Sequence, residues 1–363
     1  MSSAAIASKN VGITNALTTG RLPRWAPWAL LVGSWGVMAV VFGFMHAGGT
    51  GDYNIVAVVF LGTVLFDVLL FVVSYLIEGV RQARNRLVTA LVSTAFIIAL
   101  LPLVSLLFTV VTNGAARFDI GFFTQSMRSV VGAGGGALHA IMGTLLITGM
   151  AALISVPVGL LAAIYLVEYG RGRLAQAITF FVDVMTGIPS IVAGLFAFAF
   201  FSLIFQDAGI RFGFGGSVAL ALLMIPVVVR SSEEMLKLVP NELREASYAL
   251  GVPKWLTILK IVIPTSLAGI TTGVTLAIAR VIGETAPLLI VSGFTAGMNY
   301  DLFSDRMMTL PVFVYNQYAS PGSDANAYLE RAWAGALTLI LIVMALNLIA
   351  RFIAKIFSPK LGR

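Results

Sequence analysis

The chain has 363 residues, 59% hydrophobic and 11% charged, with a formal net charge of +7 and a mean hydropathy of +0.97. Soluble domains carry about 25% charged residues, so this chain cannot cover a water-facing surface and must have lipid as solvent for much of its length. It has no cysteine and only two histidines, His46 and His139, far apart in sequence; this excludes disulfides, thiolate metal sites and thiol catalysis and argues against a histidine metal site.

Residues 1–24 are small and polar and read as a disordered cytoplasmic tail. A cleaved signal peptide is the other reading of the basic Arg21–Arg24 region and the apolar run after it. Losing that run would leave the termini on opposite sides, against the charge pattern below. Eight apolar spans follow: Trp25–Met45, Asn54–Ile77, Leu87–Val111, Ala137–Val167, Leu174–Phe205, Gly216–Val229, Thr265–Val291 and Ala332–Ile353. Most reach the roughly 20 residues a spanning helix needs; Gly216–Val229 is short and must borrow flanking residues. Gly132–Gly136 reads as a flexible lead-in to the fourth span. The fifth contains Gly187-Ile188-Pro189-Ser190, where proline removes a backbone donor and a kink or break is expected. The fold class is therefore all-α, polytopic, with about eight transmembrane helices.

Charge sets the orientation. With the N-terminus inside, the segments 1–24, 78–86, 168–173, 230–264 and 354–363, with the last turn of the final helix, hold 17 of the 23 Lys and Arg, against five outside. Basic residues concentrate in cytoplasmic loops, so both termini are expected on the cytoplasmic side of the membrane. The sequence pI of about 9.8 has the same origin and does not indicate nucleic-acid binding.

The segment 230–264 is too long for a tight turn and has helical grammar. Ser231 and Glu234 fit a capping box. A second helix starts near Pro240 and runs through Leu250; Gly251 fits a left-handed stop, and Pro253 follows it. Leu243, Ala246 and Leu250 share one side, with Glu242, Arg244 and Glu245 on the rest. An amphipathic helix outside the lipid either packs on its own subunit or docks into a partner's groove, and the residues alone leave both open.

Glu245-Ala246-Ser247, then Gly251, then Ile261-Val262-Ile263-Pro264 resembles the cytoplasmic signature of bacterial ABC-importer permeases: Glu-Ala-Ala, three residues, Gly, nine residues, Ile, any residue, Leu-Pro. Ser247 replaces the second Ala and Ile263 the Leu; the spacing is intact. The resemblance implies that the short helix couples transport to a separate nucleotide-binding subunit, with Glu245 facing that subunit and Gly251 allowing the sharp turn. No Gly-x-x-x-x-Gly-Lys-Ser/Thr loop occurs in the chain, so no cofactor is expected here; ATP and Mg would be bound by a partner ATPase, and this chain is not expected to be an enzyme itself.

Arg280 and Glu284 fall near the middle of the seventh span. An arginine at helix centre costs about 2.5–3.5 kcal/mol on insertion scales, and i, i+4 spacing would let Glu284 pair with it. Two readings stand: an ion pair that fixes helix packing, or a cation facing a translocation path, where its planar fork suits an oxyanion, with Thr285 as a further donor. Arg280 with Gly283-Glu284-Thr285-Ala286-Pro287 resembles the Gly-Glu-Thr-Ala-Pro element of phosphate-specific transport (Pst) permeases of the PstA type. Ala140–Leu145, Val156–Leu166, Asp183–Val192 and Leu310-Pro311-Val312 extend the likeness across about residues 87–357. Residues 25–86 are two additional helices, and 358–363 a cytoplasmic tail.

The resemblance implies a type I ABC importer permease core. It implies phosphate as cargo, and the partners would be a PstC-like second permease, a PstB-like ATPase dimer and a PstS-like external phosphate-binding protein. The Arg/Glu pair is linked to translocation by the same resemblance.

The broken fifth span is a second candidate: a helix restarting at Ile188–Ser190 presents free amides to an anion, with Ser190 as cap; the alternative is a packing kink. Asp183 reads as a helix–helix hydrogen bond or a ligand. Asp67 is expected to contact the bundle, and His139 to sit at the interface. Loop 293–330 reads as a solvated loop or a docking surface for the external protein.

Two rivals remain at this point. One is an ABC permease for phosphonate, molybdate, sulfate or another small solute; the other is an ion-coupled secondary transporter or channel, against which the 230–264 segment argues.

Overall fold

The structure, a computed structural model, describes residues 22–48, 53–322 and 324–357. The expected terminal tails lie largely or wholly outside the described residues. Every regular element among the described residues is helical. Among the described residues, seven helices are long and apolar enough to cross a membrane, and one bent pair makes an eighth span if its two arms count as one.

The chain divides into two compact units, Met1–Leu106 and Leu107–Arg363. The first holds α1 (Ala26–Ala47), α2 (Ile55–Glu78) and most of α3 (Val80–Gly114). The Asn54 side chain caps α2 by accepting the Ala57 amide at 3.1 Å. Helices α1 and α2 meet at Gly62, where a Cβ would lie 2.6 Å from Trp35 Cδ1, and Trp35 Nε1 donates to Thr63 Oγ1 at 3.1 Å. Asp67 is buried in α2, as is Ser74, and Glu78 accepts two hydrogen bonds from Arg86. The remaining apolar side chains of this unit are mostly bare, as a lipid-facing surface requires. The expected boundary at residue 87 falls inside α3, and the compact units divide further along that helix.

The second unit contains the end of α3, then α4 (Ile120–Thr124), α5 (Leu138–Ile164), α6 (Arg173–Thr186), α7 (Ser190–Phe205), α8 (Gly213–Lys237), α9 (Asn241–Ala249), α10 (Lys254–Thr257), α11 (Ile263–Val281), α12 (Ala286–Val291), α13 (Leu310–Ala319) and α14 (Ala325–Phe357). Short π-helical turns at Tyr165–Tyr169 and Ile258–Val262 extend α5 and join α10 to α11. Helix α8 is the central post, and it is the most buried of the long helices. It packs on α5 where Gly159 meets the Val228 side chain and Ser155 Oγ donates to Ala221 O at 3.4 Å; α11 crosses its other side.

Several sequence expectations are corrected here. The short sixth span does borrow neighbours, since α8 runs to Lys237. It therefore swallows Ser231 and Glu234, and no capping box forms; Ser231 Oγ donates to Val228 O inside the helix. The fifth span, by contrast, breaks where a kink or break was expected: α6 and α7 meet at 110° across Gly187–Pro189. The seventh span stops at Val281 and restarts as α12. Loop 293–330 contains α13, whose Leu310, Pro311, Val312 and Phe313 are core residues.

His139 is buried rather than interfacial, edge-on to Phe313 at 5.7 Å. The glycine run is clamped rather than flexible. Arg331, fully buried, donates to Gly132 O and Gly134 O at 2.8 and 3.0 Å and to Gln317 at 2.9 Å, and Arg117 donates to Gly135 O at 2.9 Å.

Candidate functional site

Two places bring the predicted residues together, one at each of two depths along α8. The first is the segment after the C-terminal end of α8. Helix α9 ends as its sequence demands. Gly251 takes φ +76°, its amide donates to Tyr248 O at 2.9 Å, and the Val252 amide donates to Ser247 O at 3.2 Å. These are the paired bonds of a Schellman stop, which needs a residue without Cβ strain at the left-handed position.

Ser247, which replaces alanine in the signature, is buried and shares a 2.8 Å hydroxyl–hydroxyl bond with buried Thr257, pinning α9 to α10. Arg244 lies away from the Leu243, Ala246 and Leu250 side, as the spacing predicts. It reaches inward to Glu168 at 2.9 Å, with the two side chains 11% and 5% exposed, and also donates to Leu236 O at 3.0 Å. Lys254 joins the same anchor through Glu168 O and stands 4.7 Å over the Tyr169 ring.

The other face is bare. Leu243, Glu245, Ala246 and Leu250 are exposed, with Leu250 at 83%, and Leu238 and Trp255 extend the apolar surface. One side of α9 is thus anchored by an ion pair while its apolar side has no cover among the described residues.

The second place is a pair of broken helices. Gly194 of α7 sits against Pro287 of α12, where a Cβ on Gly194 would lie 2.6 Å from Pro287 Cα. At their far ends Val291 and Phe201 both flank Gly215. The two helices therefore run in the same direction and start at similar depth. Ser190 begins α7, one turn before that contact, and Thr285 immediately precedes α12. A cavity of about 230 Å³ lined by Met185, Ile188, Val192 and Leu222–Leu223 of α8 puts this depth near the middle of α8.

Arg280 lies in the last turn of α11, not at a helix centre, and it is exposed. Glu284 follows two turn residues later, partly buried, its amide donating to Val281 O at 3.1 Å. Because the helix ends between them, the i, i+4 geometry is lost, and no Arg280–Glu284 ion pair forms among the described residues. Ser190 is the first helical residue rather than a cap; Pro189 holds the capping position and no side chain caps α7. Ser190 and Thr285 thus stand at two parallel helix starts, whose free amides favour negative charge; Thr285 Oγ1 donates to Gly283 O at 3.5 Å, and Arg280 and Glu284 flank the break in the chain just before α12.

Asp183 meets the hydrogen-bonding expectation: it pairs with Arg230 of α8, which also bonds Glu233 at 2.9 Å. In loop 293–309, Asp301 accepts the Phe303 amide at 2.9 Å and Ser304 Oγ at 2.8 Å, which hold its carboxyl below the usual carboxylate range. No group of three or more potential metal ligands occurs among the described residues.

Residues 155–363 match the family described as the binding-protein-dependent transport system inner membrane component. The chain belongs to this family. Relatives of this permease include the phosphate transport system permease protein PstA 1 of Mycobacterium tuberculosis (strain H37Rv), 48% identical over 282 residues, covering 76% of this chain and 89% of that protein. PstA of Haemophilus influenzae is 42% identical over 275 residues, covering 75% of this chain and 94% of that protein. Among solved structures, a bacterial alginate ABC transporter in complex with an alginate pentasaccharide-bound periplasmic protein aligns with TM-score 0.54 at 14% identity, over 77% of this permease and 97% of that chain. That likeness bears on the fold alone, which is the ABC importer permease fold expected from the sequence.

Proposed function

We propose that this permease is the PstA-type subunit of an ATP-driven importer that carries inorganic phosphate across the bacterial inner membrane. The observation that carries the coupling half of this reading is the bare outer face of α9, anchored from behind by Arg244–Glu168. A helix held rigidly on one side and uncovered on its apolar side is built to transmit motion from a partner that docks there. The phosphate half rests on the names of the relatives, together with Arg280 and two parallel helix starts near mid-depth, an arrangement suited to an oxyanion.

In this reading a PstB-like ATPase dimer seats Leu243, Glu245, Ala246 and Leu250, with Gly251 turning the chain back towards α10. ATP and Mg belong to that dimer. A PstC-like permease completes the pathway, and a PstS-like protein delivers phosphate from outside, with both termini of this chain in the cytoplasm. Closure of the ATPase pushes α9; α8 and α11, to which the coupling segment is continuous, then tilt and change access to Arg280, Glu284, Thr285 and Ser190.

The test is ATP-driven uptake of radiolabelled phosphate into vesicles containing the co-purified complex. Wild type is expected to accumulate phosphate only with ATP. Arg280→Ala is expected to stop uptake in an assembled complex, and Glu245→Ala to stop both uptake and transport-coupled ATP hydrolysis. Uptake of another oxyanion instead of phosphate overturns the cargo; uptake that ignores ATP overturns the whole reading.

A further inference from the structure

At the end of α8 opposite α9, three chain segments are tied together around the last turn of α12. The Phe212 amide donates to Val291 O at 3.2 Å, the Met307 amide donates to Ser292 O at 3.2 Å, and Gly293 N closes back on Leu288 O at 3.0 Å. These bonds bring the stems of Arg211 and Arg306 up to Gly293. A Cβ on Gly293 would lie 2.9 Å from Arg211 Cδ and 3.4 Å from Arg306 Cδ, and its φ of +70° is one that glycine adopts readily. The two stems can therefore converge only because residue 293 has no side chain.

Two like charges brought together repel, and neither guanidinium has a carboxylate within ion-pair distance among the described residues. Asp301, in the same loop, is occupied by its own turn. Arg211 Nε donates to Ile290 O at 3.1 Å, which offsets the negative end of the α12 dipole; its terminal nitrogens have no protein partner among the described residues. Arg306 is exposed, and its side chain has none either. Fold stability alone does not call for this pair, because one arginine suffices to cap α12.

We propose that Arg211 and Arg306 form a second oxyanion-binding station at the end of the bundle opposite α9. Glu284 and Thr285 lie at the other end of α12, so the station is about 12 Å along the chain axis from Thr285. Two guanidiniums carried on stems that meet at Gly293 offer several N–H donors in planar forks, the chemistry that suits a tetrahedral dianion. An anion held there would pass along one six-residue helix to the Arg280 region. The identity of that anion as phosphate rests on the function proposed above; the existence of the station does not.

The chain has no cysteine, so Phe294→Cys, beside Gly293 at a side chain 50% exposed, introduces a single thiol into this subunit. In the assembled, uptake-competent complex, its rate of modification is compared between an anionic and a cationic thiol reagent of similar size. Inorganic phosphate is then added as competitor. The anionic reagent is expected to react faster, phosphate to slow it, and Arg306→Gln both to cut the anionic-to-cationic ratio about tenfold, the Coulomb factor for one charge at ~6 Å in water acting with opposite sign on the two reagents, and to abolish the phosphate effect. Arg306→Lys restores the ratio and part of the phosphate effect.

Phosphate failing to slow modification in a complex that imports phosphate overturns the proposal, as does an undiminished phosphate effect in Arg306→Gln. Protection by phosphate in a complex that does not import it supports the station while overturning the proposed cargo.

Discussion

The Arg244–Glu168 bridge gives the sharpest test of how α9 works. Both side chains are nearly buried, so Arg244→Ala leaves a desolvated Glu168 carboxylate without its counter-ion and removes a charge-assisted bond to Leu236 O. Breaking a buried pair from one side costs about 3–5 kcal/mol. Taking the lower value, because Glu168 sits at the end of a span where water can relax to it, the anchored state of α9 loses about 3 kcal/mol, a factor of roughly 150 in its equilibrium.

The helix itself survives, since its Schellman stop and the Ser247–Thr257 bond are untouched, but it no longer presses on the end of α5. Amide hydrogen exchange across 241–250 in the assembled complex is therefore expected to speed up by about two orders of magnitude. ATP hydrolysis is expected to continue while phosphate transported per ATP falls. Glu168→Gln in the Arg244→Ala background removes the orphaned charge and recovers part of the loss. Unchanged exchange and coupling in Arg244→Ala would refute the anchoring argument, leaving α9 held by α10 alone.

Three further outcomes follow from the packing. Gly251→Val forces a β-branched residue to φ +76°, costing about 1–3 kcal/mol; co-purification of the ATPase is expected to drop while the subunit stays folded in detergent. Gly194→Leu cannot fit against Pro287 and is expected to separate α7 from α12, abolishing uptake in a complex that still assembles, as size-exclusion chromatography and vesicle transport would show. Arg331→Met removes the clamp on Gly132 and Gly134 and strands Gln317; loss of about 1–3 kcal/mol for a stranded acceptor is expected as a lower thermal midpoint, with glycine-run amides exchanging faster.

The helical membrane architecture and the short helix α9 with its glycine stop were legible in the sequence because each depends on local chemistry. A run of about 20 apolar residues needs no knowledge of its neighbours to be a spanning helix, and a Gly six residues after Glu245 with Pro253 beyond it ends α9 by its own backbone preferences. The charge asymmetry between loops follows from composition in the same way. Where the prediction failed, the deciding partner was distant in sequence. Ser231 looked like a cap until α8 continued through it, packed against α11 at Gly273. The glycine run looked mobile because Arg331 stands about two hundred residues away.

For the candidate site the division is the same. Sequence by itself named Arg280, Glu284, Thr285 and Ser190, because polar residues in apolar spans are few, and it named Glu245, Leu243, Ala246, Leu250 and Gly251, because their spacing is a motif. Tertiary structure alone decided that Arg280 and Glu284 do not pair with each other, that two half-helices start side by side at Gly194 and Pro287, and that Arg244 faces inward. Helix breaks are the physical reason. Periodicity extrapolates a face only while the helix continues, and at 187–189 and 282–285 the backbone leaves the helix, so long-range packing determines where each next residue points.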